Sequence, residues 1–198
     1  MRIGITGAHG VGKTTLAEEL SRKLGLPLIS EQARIVAEQL GIKTTDELIN
    51  DKNLAKEFQI AVLLAQMKAE DEQPQGFVSD RTTMDCLAYW KLYGLCENSE
   101  AGKIYADKCL KRPYGLLVYV PPEICVENDG FRLTSLQKEA DVKIREILID
   151  PRRYPSVLIT ASGSLENRVM VVAAEATKRR EIFHEHASSV TKPFGFKR

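Results

Sequence analysis

Apolar residues along the chain fall into two spacings, short continuous runs of strand length and longer stretches with helical period. Arg2-Ile3-Gly4-Ile5-Thr6 reads as a buried first strand, and Leu16, Leu20 and Leu24 mark one face of a helix that stops near Gly25. Leu26-Pro27-Leu28-Ile29-Ser30 predicts a short second strand, followed by a helix from about Glu31 to Leu40. Thr44-Thr45-Asp46-Glu47 is a capping box for a short helix. A longer helix over 53–73 carries Leu54, Phe58, Ala61, Val62 and Ala65 at core-facing positions until Pro74-Gln75-Gly76 breaks it. Phe77-Val78-Ser79-Asp80 is the third strand, with helices expected over 82–93 and 99–110. Gly115 to Val120 is the fourth strand, ended by Pro121-Pro122. Thr134-x-x-Gln137 offers a second capping box for a helix to about Ile149, Val157-Leu158-Ile159-Thr160 a last strand, and 164–182 a last helix. Strands alternating with helices predict an α/β fold, a five-stranded parallel sheet flanked by helices, with ligands beyond the carboxyl ends of the strands.

The first strand runs straight into Gly7-Ala8-His9-Gly10-Val11-Gly12-Lys13-Thr14, the spacing of a phosphate-binding P-loop, followed by Thr15 and the first helix. Glycines let the backbone turn its N–H groups around phosphates, Lys13 reaches the β- and γ-phosphates, and the Thr14 hydroxyl ligates magnesium. The helix opening at Gly12 adds its positive end. Gly7 to Thr15 therefore form the expected nucleotide site, ATP and Mg2+ its expected occupants, and the fold a three-layer P-loop NTPase.

At 198 residues the chain suits one domain. The expected division is a domain over 1–185, with a small lid at about 121–134, and a C-terminal tail over 186–198, where periodicity is lost. Charged residues make up 28% and nearly cancel to a net +1, so no strong field favours nucleic acid or membrane, and a small-molecule partner fits better. The clusters Arg152-Arg153 and Lys178-Arg179-Arg180 keep a nucleic-acid acceptor open. Cys86, Cys96, Cys109 and Cys125 form no C-x-x-C pair and have no histidine at zinc-ligand spacing. Free thiols, no leader before the first strand and no spanning apolar stretch together predict a cytoplasmic protein.

Asp80 ends the third strand, where a carboxylate meets magnesium or accepts a hydroxyl proton, and it is the candidate acid/base. Arg81 beside it is placed to hold an anionic substrate. Glu31 and Arg34, three apart on a helix, either share a face toward the pocket or make an i,i+3 ion pair. Arg132, next to the turn signal Asp129-Gly130, suits a lid that brings positive charge to a transferring phosphate.

Glu31-Gln32-Ala33-Arg34, Ser79-Asp80-Arg81-Thr82-Thr83 and Glu127-Asn128-Asp129-Gly130-Phe131-Arg132, in that order behind the P-loop, resemble small P-loop kinases of the nicotinamide-riboside-kinase-like, AAA-type group. The resemblance covers most of the chain. It implies that Glu31 and Arg34 line the acceptor pocket, that Asp80 handles the acceptor hydroxyl or metal, and that Arg132 approaches the transferring phosphate. The Asp80-Arg81 pair is closer to deoxynucleoside and thymidylate kinases, whose arginine faces the acceptor, than to the Asp-Thr of nicotinamide-riboside kinases. Together these imply an ATP-dependent kinase acting on a nucleoside- or nucleotide-like acceptor, with Lys13, Asp80 and Arg132 catalytic, Thr14 and Asp80 on the metal, and Arg81 with Glu31 and Arg34 on the substrate. A polynucleotide or modified-base kinase and a nucleotide-dependent switch are the alternatives. No Asn-Lys-x-Asp segment is present to read guanine, and the third strand lacks the apolar run ending in Asp-Glu of AAA motors.

Overall fold

Each predicted apolar run becomes a strand of one parallel sheet. The computed structural model describes residues 1–123 and 134–190. Its elements run β1 (Arg2–Thr6), α1 (Lys13–Leu24), β2 (Leu28–Ile29), α2 (Gln32–Leu40), α3 (Thr45–Asn50), α4 (Lys52–Asp71), β3 (Phe77–Asp80), α5 (Thr83–Leu92), α6 (Glu100–Leu110), β4 (Leu116–Tyr119), α7 (Thr134–Leu148), β5 (Val157–Thr160) and α8 (Leu165–Val190). The strand order is β2-β3-β1-β4-β5, every neighbouring pair parallel. β1 thus lies between β3 and β4, which sets Ile5 beside Asp80 on one side and Val118 on the other. Parallel strands buried on both faces need continuous apolar runs, and Ile3, Ile5, Val78, Leu116 and Val118 are fully buried. α1 and α8 cover one face through Leu16, Leu20, Val172 and Ala176. Phe58, Leu63, Leu87 and Trp90 of α4 and α5 build the other face against Phe77 and Leu117. There Trp90 stacks on Tyr105 of α6 with ring centroids 4.2 Å apart.

Local sequence chemistry sets most boundaries. The Glu47 carboxylate accepts from the Thr44 N–H at 2.9 Å, the capping box expected before α3. Asp51 caps α4 through the N–H groups of Asn53 and Leu54, and Ser99 caps α6 through Gly102. Ser164 does the same before α8, its hydroxyl accepting from Asn167 at 3.3 Å.

Three expectations are corrected. β2 is two residues long rather than spanning 26–30, because the Leu26 N–H is consumed by the Ser21 carbonyl in the turn that ends α1. The proposed Thr134-x-x-Gln137 box is displaced: Thr134 is already helical, and the Gln137 amide donates to the carbonyl of His9 at 2.9 Å. α8 continues to Val190, past 182, since no glycine or proline interrupts the chain before Pro193. The expected lid over 121–134, with Arg132 and Cys125, falls almost wholly outside the described residues, as does 191–198 of the tail.

Candidate functional site

The carboxyl ends of β1 and β3 meet at the loop between β1 and α1. Gly12 caps α1 in the left-handed region at φ 86°, which a side chain would strain. Gly7 sits at φ 149°, and a Cβ there would lie 2.4 Å from the Val120 carbonyl oxygen, so the loop closes against β4 only with glycine. Lys13, 5% exposed, donates to the Ala8 carbonyl at 2.6 Å. Burial and the nearby Arg81 charge lower the Lys13 ammonium to about 8, against the pull of Asp80, Asp85 and Glu31. The Thr14 hydroxyl donates to Asp80 Oδ2 at 2.6 Å, while Asp80 Oδ1 is buried with no hydrogen-bond partner among the described residues. Burial raises the Asp80 carboxyl above the ordinary aspartate range, although Lys13 and the Thr14 hydroxyl pull the other way.

Arg81 continues from Asp80 at φ 90°, an uncommon backbone for a side-chain-bearing residue, held by its N–H donating to the Ile5 carbonyl at 3.0 Å. Its guanidinium donates to Glu31 at 2.5 Å, lies 3.5 Å from Asp85 and stacks 5.0 Å over the Tyr89 ring. Glu31 also accepts from Arg34 at 2.8 Å, so the pair predicted on one helix face is an ion pair and lines the pocket at once. Burial alone would raise the Glu31 carboxyl, but the Arg81 charge and hydrogen bond outweigh it and hold the group at about 2. Asp85 accepts from the hydroxyl of Thr6 at 3.0 Å and from the N–H and hydroxyl of Thr82 at 2.8 and 2.6 Å. The cap of α5 is thus Thr82 with Asp85, and Asp80 is left for other work.

Two clefts adjoin. One is the loop cradle, lined by Gly10, Gly12, Lys13, Thr14, Thr15 and Asp80. The second runs between α2, α4 and α5, walled by Leu48, Phe58, Val62, Tyr89 and Tyr93, with Gln59, Gln66, Thr82 and Asp85 as polar lining. His9, Glu31, Arg34 and Arg81 line both. Gln66 spends its amide N–H groups on Glu70 and Ser79, each at 2.9 Å, which leaves its carbonyl oxygen as an acceptor. Gln59 is held differently: the Tyr105 hydroxyl lies 3.0 Å from its backbone carbonyl and 3.4 Å from its Oε1, and its one proton goes to the backbone, so the Gln59 amide keeps both donor and acceptor capacity. Sequence reasoning missed Asp85, Gln59 and Gln66. Their signals were a carboxylate three residues after Thr82, and two glutamines seven apart on the apolar face of one helix.

His9, Gly10, Gly12 to Thr15, Asp80, Glu31, Arg34 and Arg81 are therefore brought together around one cradle, Ala8 and Val11 of the same loop are buried behind it, and Arg132 lies outside the described residues. A family model described as an AAA domain matches residues 2–168. The chain belongs to the AAA domain family. This AAA domain is similar in fold to deoxyadenosine kinase from M. mycoides, with TM-score 0.64 and 16% identity over 90% of this chain and 100% of that one. It is also similar to the NadR protein in complex with NR (TM-score 0.60, 18% identity, 99% of this chain and 53% of that longer one). A third likeness is to the YorR protein from Bacillus subtilis in complex with phosphorylated GDP (TM-score 0.55, 17% identity, 94% and 99%). At such identities the shared property is the fold. No helix among the described residues is long and apolar enough to cross a membrane.

Proposed function

We propose that this AAA domain is an ATP-dependent kinase that transfers the γ-phosphate to a nucleoside- or nucleotide-like small molecule. The observation that carries the reading is the second cleft, which shares Glu31, Arg34, Arg81 and His9 with the phosphate cradle and so sets a second substrate against the nucleotide's terminal phosphate.

Lys13 and the loop N–H groups hold the phosphates. Asp80, with proton affinity raised by burial and one oxygen without a hydrogen-bond partner among the described residues, receives the acceptor hydroxyl's proton or holds the metal. Magnesium fits Thr14 Oγ1 and the unpartnered Asp80 oxygen, since two protein oxygens plus phosphates and water suit that ion. Bound there, it would neutralise charge on the β- and γ-oxygens. Arg81, immobilised by Glu31, Asp85 and Tyr89, supplies fixed positive charge between the clefts. Arg132 keeps the phosphate-stabilising role that the family resemblance implies.

The acceptor cleft combines apolar and aromatic walls with the Gln66 carbonyl as acceptor and the Gln59 amide as a second polar group, the complement of a planar heterocycle with polar functions on one edge. A polynucleotide acceptor is less well supported, because one arginine of each basic cluster is paired internally, Arg152 with Asp150 and Glu97 at 2.7 and 2.8 Å and Arg179 with Glu175 at 2.7 Å. The test is a panel of nucleosides, nicotinamide riboside, nucleoside monophosphates and hydroxyl-ended oligonucleotides given with Mg2+ and γ-labelled ATP. Label is expected in one small acceptor, and Gln59→Leu should raise that acceptor's KM about tenfold with the KM for ATP unchanged. Label confined to oligonucleotides contradicts the small-acceptor reading.

A further inference from the structure

A P-loop works only if its N–H groups face the phosphates. Because each peptide unit is planar and trans, the carbonyl of one residue points opposite to the N–H of the next. An inward N–H therefore demands an outward carbonyl, and an outward carbonyl buried in protein demands a donor. The Ala8 carbonyl accepts from Lys13, the cradle's own ammonium. Two donors come from far along the chain: Gln137 of α7 donates to the His9 carbonyl at 2.9 Å, and Arg168 of α8 donates to the Val11 carbonyl at 2.8 Å. The peptide units they hold carry the N–H groups of Gly10 and Gly12, both of which line the phosphate cradle.

Arg168 is 3% exposed, on the α8 face that packs on α1, where alanine or an aliphatic residue would satisfy the core. Its other terminal nitrogen donates to Glu123 at 3.1 Å, and Glu123 in turn accepts from the Gly163 N–H at 2.8 Å. Its Nε is buried without a partner among the described residues. Such an imperfectly compensated buried cation is costly as a structural element. It is explained by what its third nitrogen does to the loop.

We infer that Arg168 and Gln137 are positioning residues for the donor phosphates, acting through the Val11 and His9 carbonyls to aim the Gly12 and Gly10 N–H groups. The inference rests on the donor-site reading of Gly7 to Thr15 and extends it to two residues outside the motif.

The test is calorimetric binding of MgATP, and of inorganic tripolyphosphate as a probe with no base, to the full chain and to Arg168→Met, Arg168→Lys and Gln137→Leu, alongside the acceptor KM and apo thermal melts. Arg168→Met and Gln137→Leu should each weaken both ligands about tenfold or more while the acceptor KM holds, and Arg168→Lys should recover part of the loss. A fall in tripolyphosphate affinity marks a phosphate-aiming defect, because that probe cannot sense a displaced adenine contact. If the variants melt cooperatively and bind both ligands as tightly as the parent, the inference is overturned while the donor-site reading stands. If Arg168→Met does not fold, Gln137→Leu, which removes one half-buried hydrogen bond, decides alone. If the parent chain binds neither ligand, the donor-site reading falls, and this inference with it.

Discussion

Lys13 is nearly sealed from water and close to Arg81, so in the free protein its ammonium titrates near 8 rather than at its usual 10.5. Below about 8 the group is charged and ready for a triphosphate, and above that it is progressively neutral. Bound phosphates raise its proton affinity again, so ATP binding at pH 9 should take up a proton and at pH 7 should take up little. Calorimetry at both pH values in two buffers of different ionisation enthalpy measures this directly. Affinity should fall as pH rises through 8 to 10, and identical heats in the two buffers at pH 9 would contradict the account.

At this scale the sequence was partly legible. Lys13, Thr14 and Asp80 announced themselves because a motif and a strand end are local facts. Asp85, Gln59 and Gln66 did not, because the cleft they line forms only when α2, α4 and α5 pack, and Asp85 and Gln66 also take partners in Thr6 and Ser79, 79 and 13 residues away. A glutamine's polarity toward a pocket depends on which of its groups is already spent, and only the fold decides that.

Among the elements, the loop joining β1 to α1 has the least tolerance. Gly7 combines a left-handed φ of 149° with a Cβ position 2.4 Å from the Val120 carbonyl oxygen. Gly7→Ala should therefore push the loop off β4, weaken MgATP binding at least tenfold and lower the melting temperature, while far-UV circular dichroism still reports an intact sheet. A variant with native affinity would show that the loop has room the geometry denies. Element boundaries were legible where a cap is written in adjacent residues, as at Thr44 and Glu47 before α3. They were not legible where competition for one backbone group settles them, as at Leu26, or where apolar spacing ends before the helix does, as in α8. Gln137 shows the limit of a motif: Thr-x-x-Gln fits a cap, yet its amide crosses to a loop 128 residues away.

For the whole molecule, the parallel order β2-β3-β1-β4-β5 gathers residues from β1, β2, β3 and the helices behind them at one edge of the sheet. That alternation of strands and helices was readable from apolar spacing, whereas the acceptor chemistry was not, since α2, α4 and α5 build that cleft only after packing. A ligand seated at this edge bridges β1, β3 and α1, so it should stabilise the fold as a unit. MgATP at about one hundred times its dissociation constant should add about 2.7 kcal/mol, or roughly 5–10 °C in melting temperature for a chain of this size. Lys13→Met should abolish that shift, and an equal shift in the variant would place nucleotide binding elsewhere.

The proposed kinase moves a phosphoryl group to a second substrate and not to water. The fate of the γ-phosphate decides this: γ-labelled ATP, Mg2+ and the best acceptor, with ADP, labelled acceptor and free phosphate counted together, for the parent chain and Asp80→Asn. The account predicts one labelled acceptor per ADP, a loss of about 10²–10⁴ in kcat for Asp80→Asn with ATP affinity changed only a few-fold, and no turnover when Mg2+ is chelated. ADP matched by free phosphate across the whole acceptor panel, or an Asp80→Asn enzyme as fast as the parent, would contradict it.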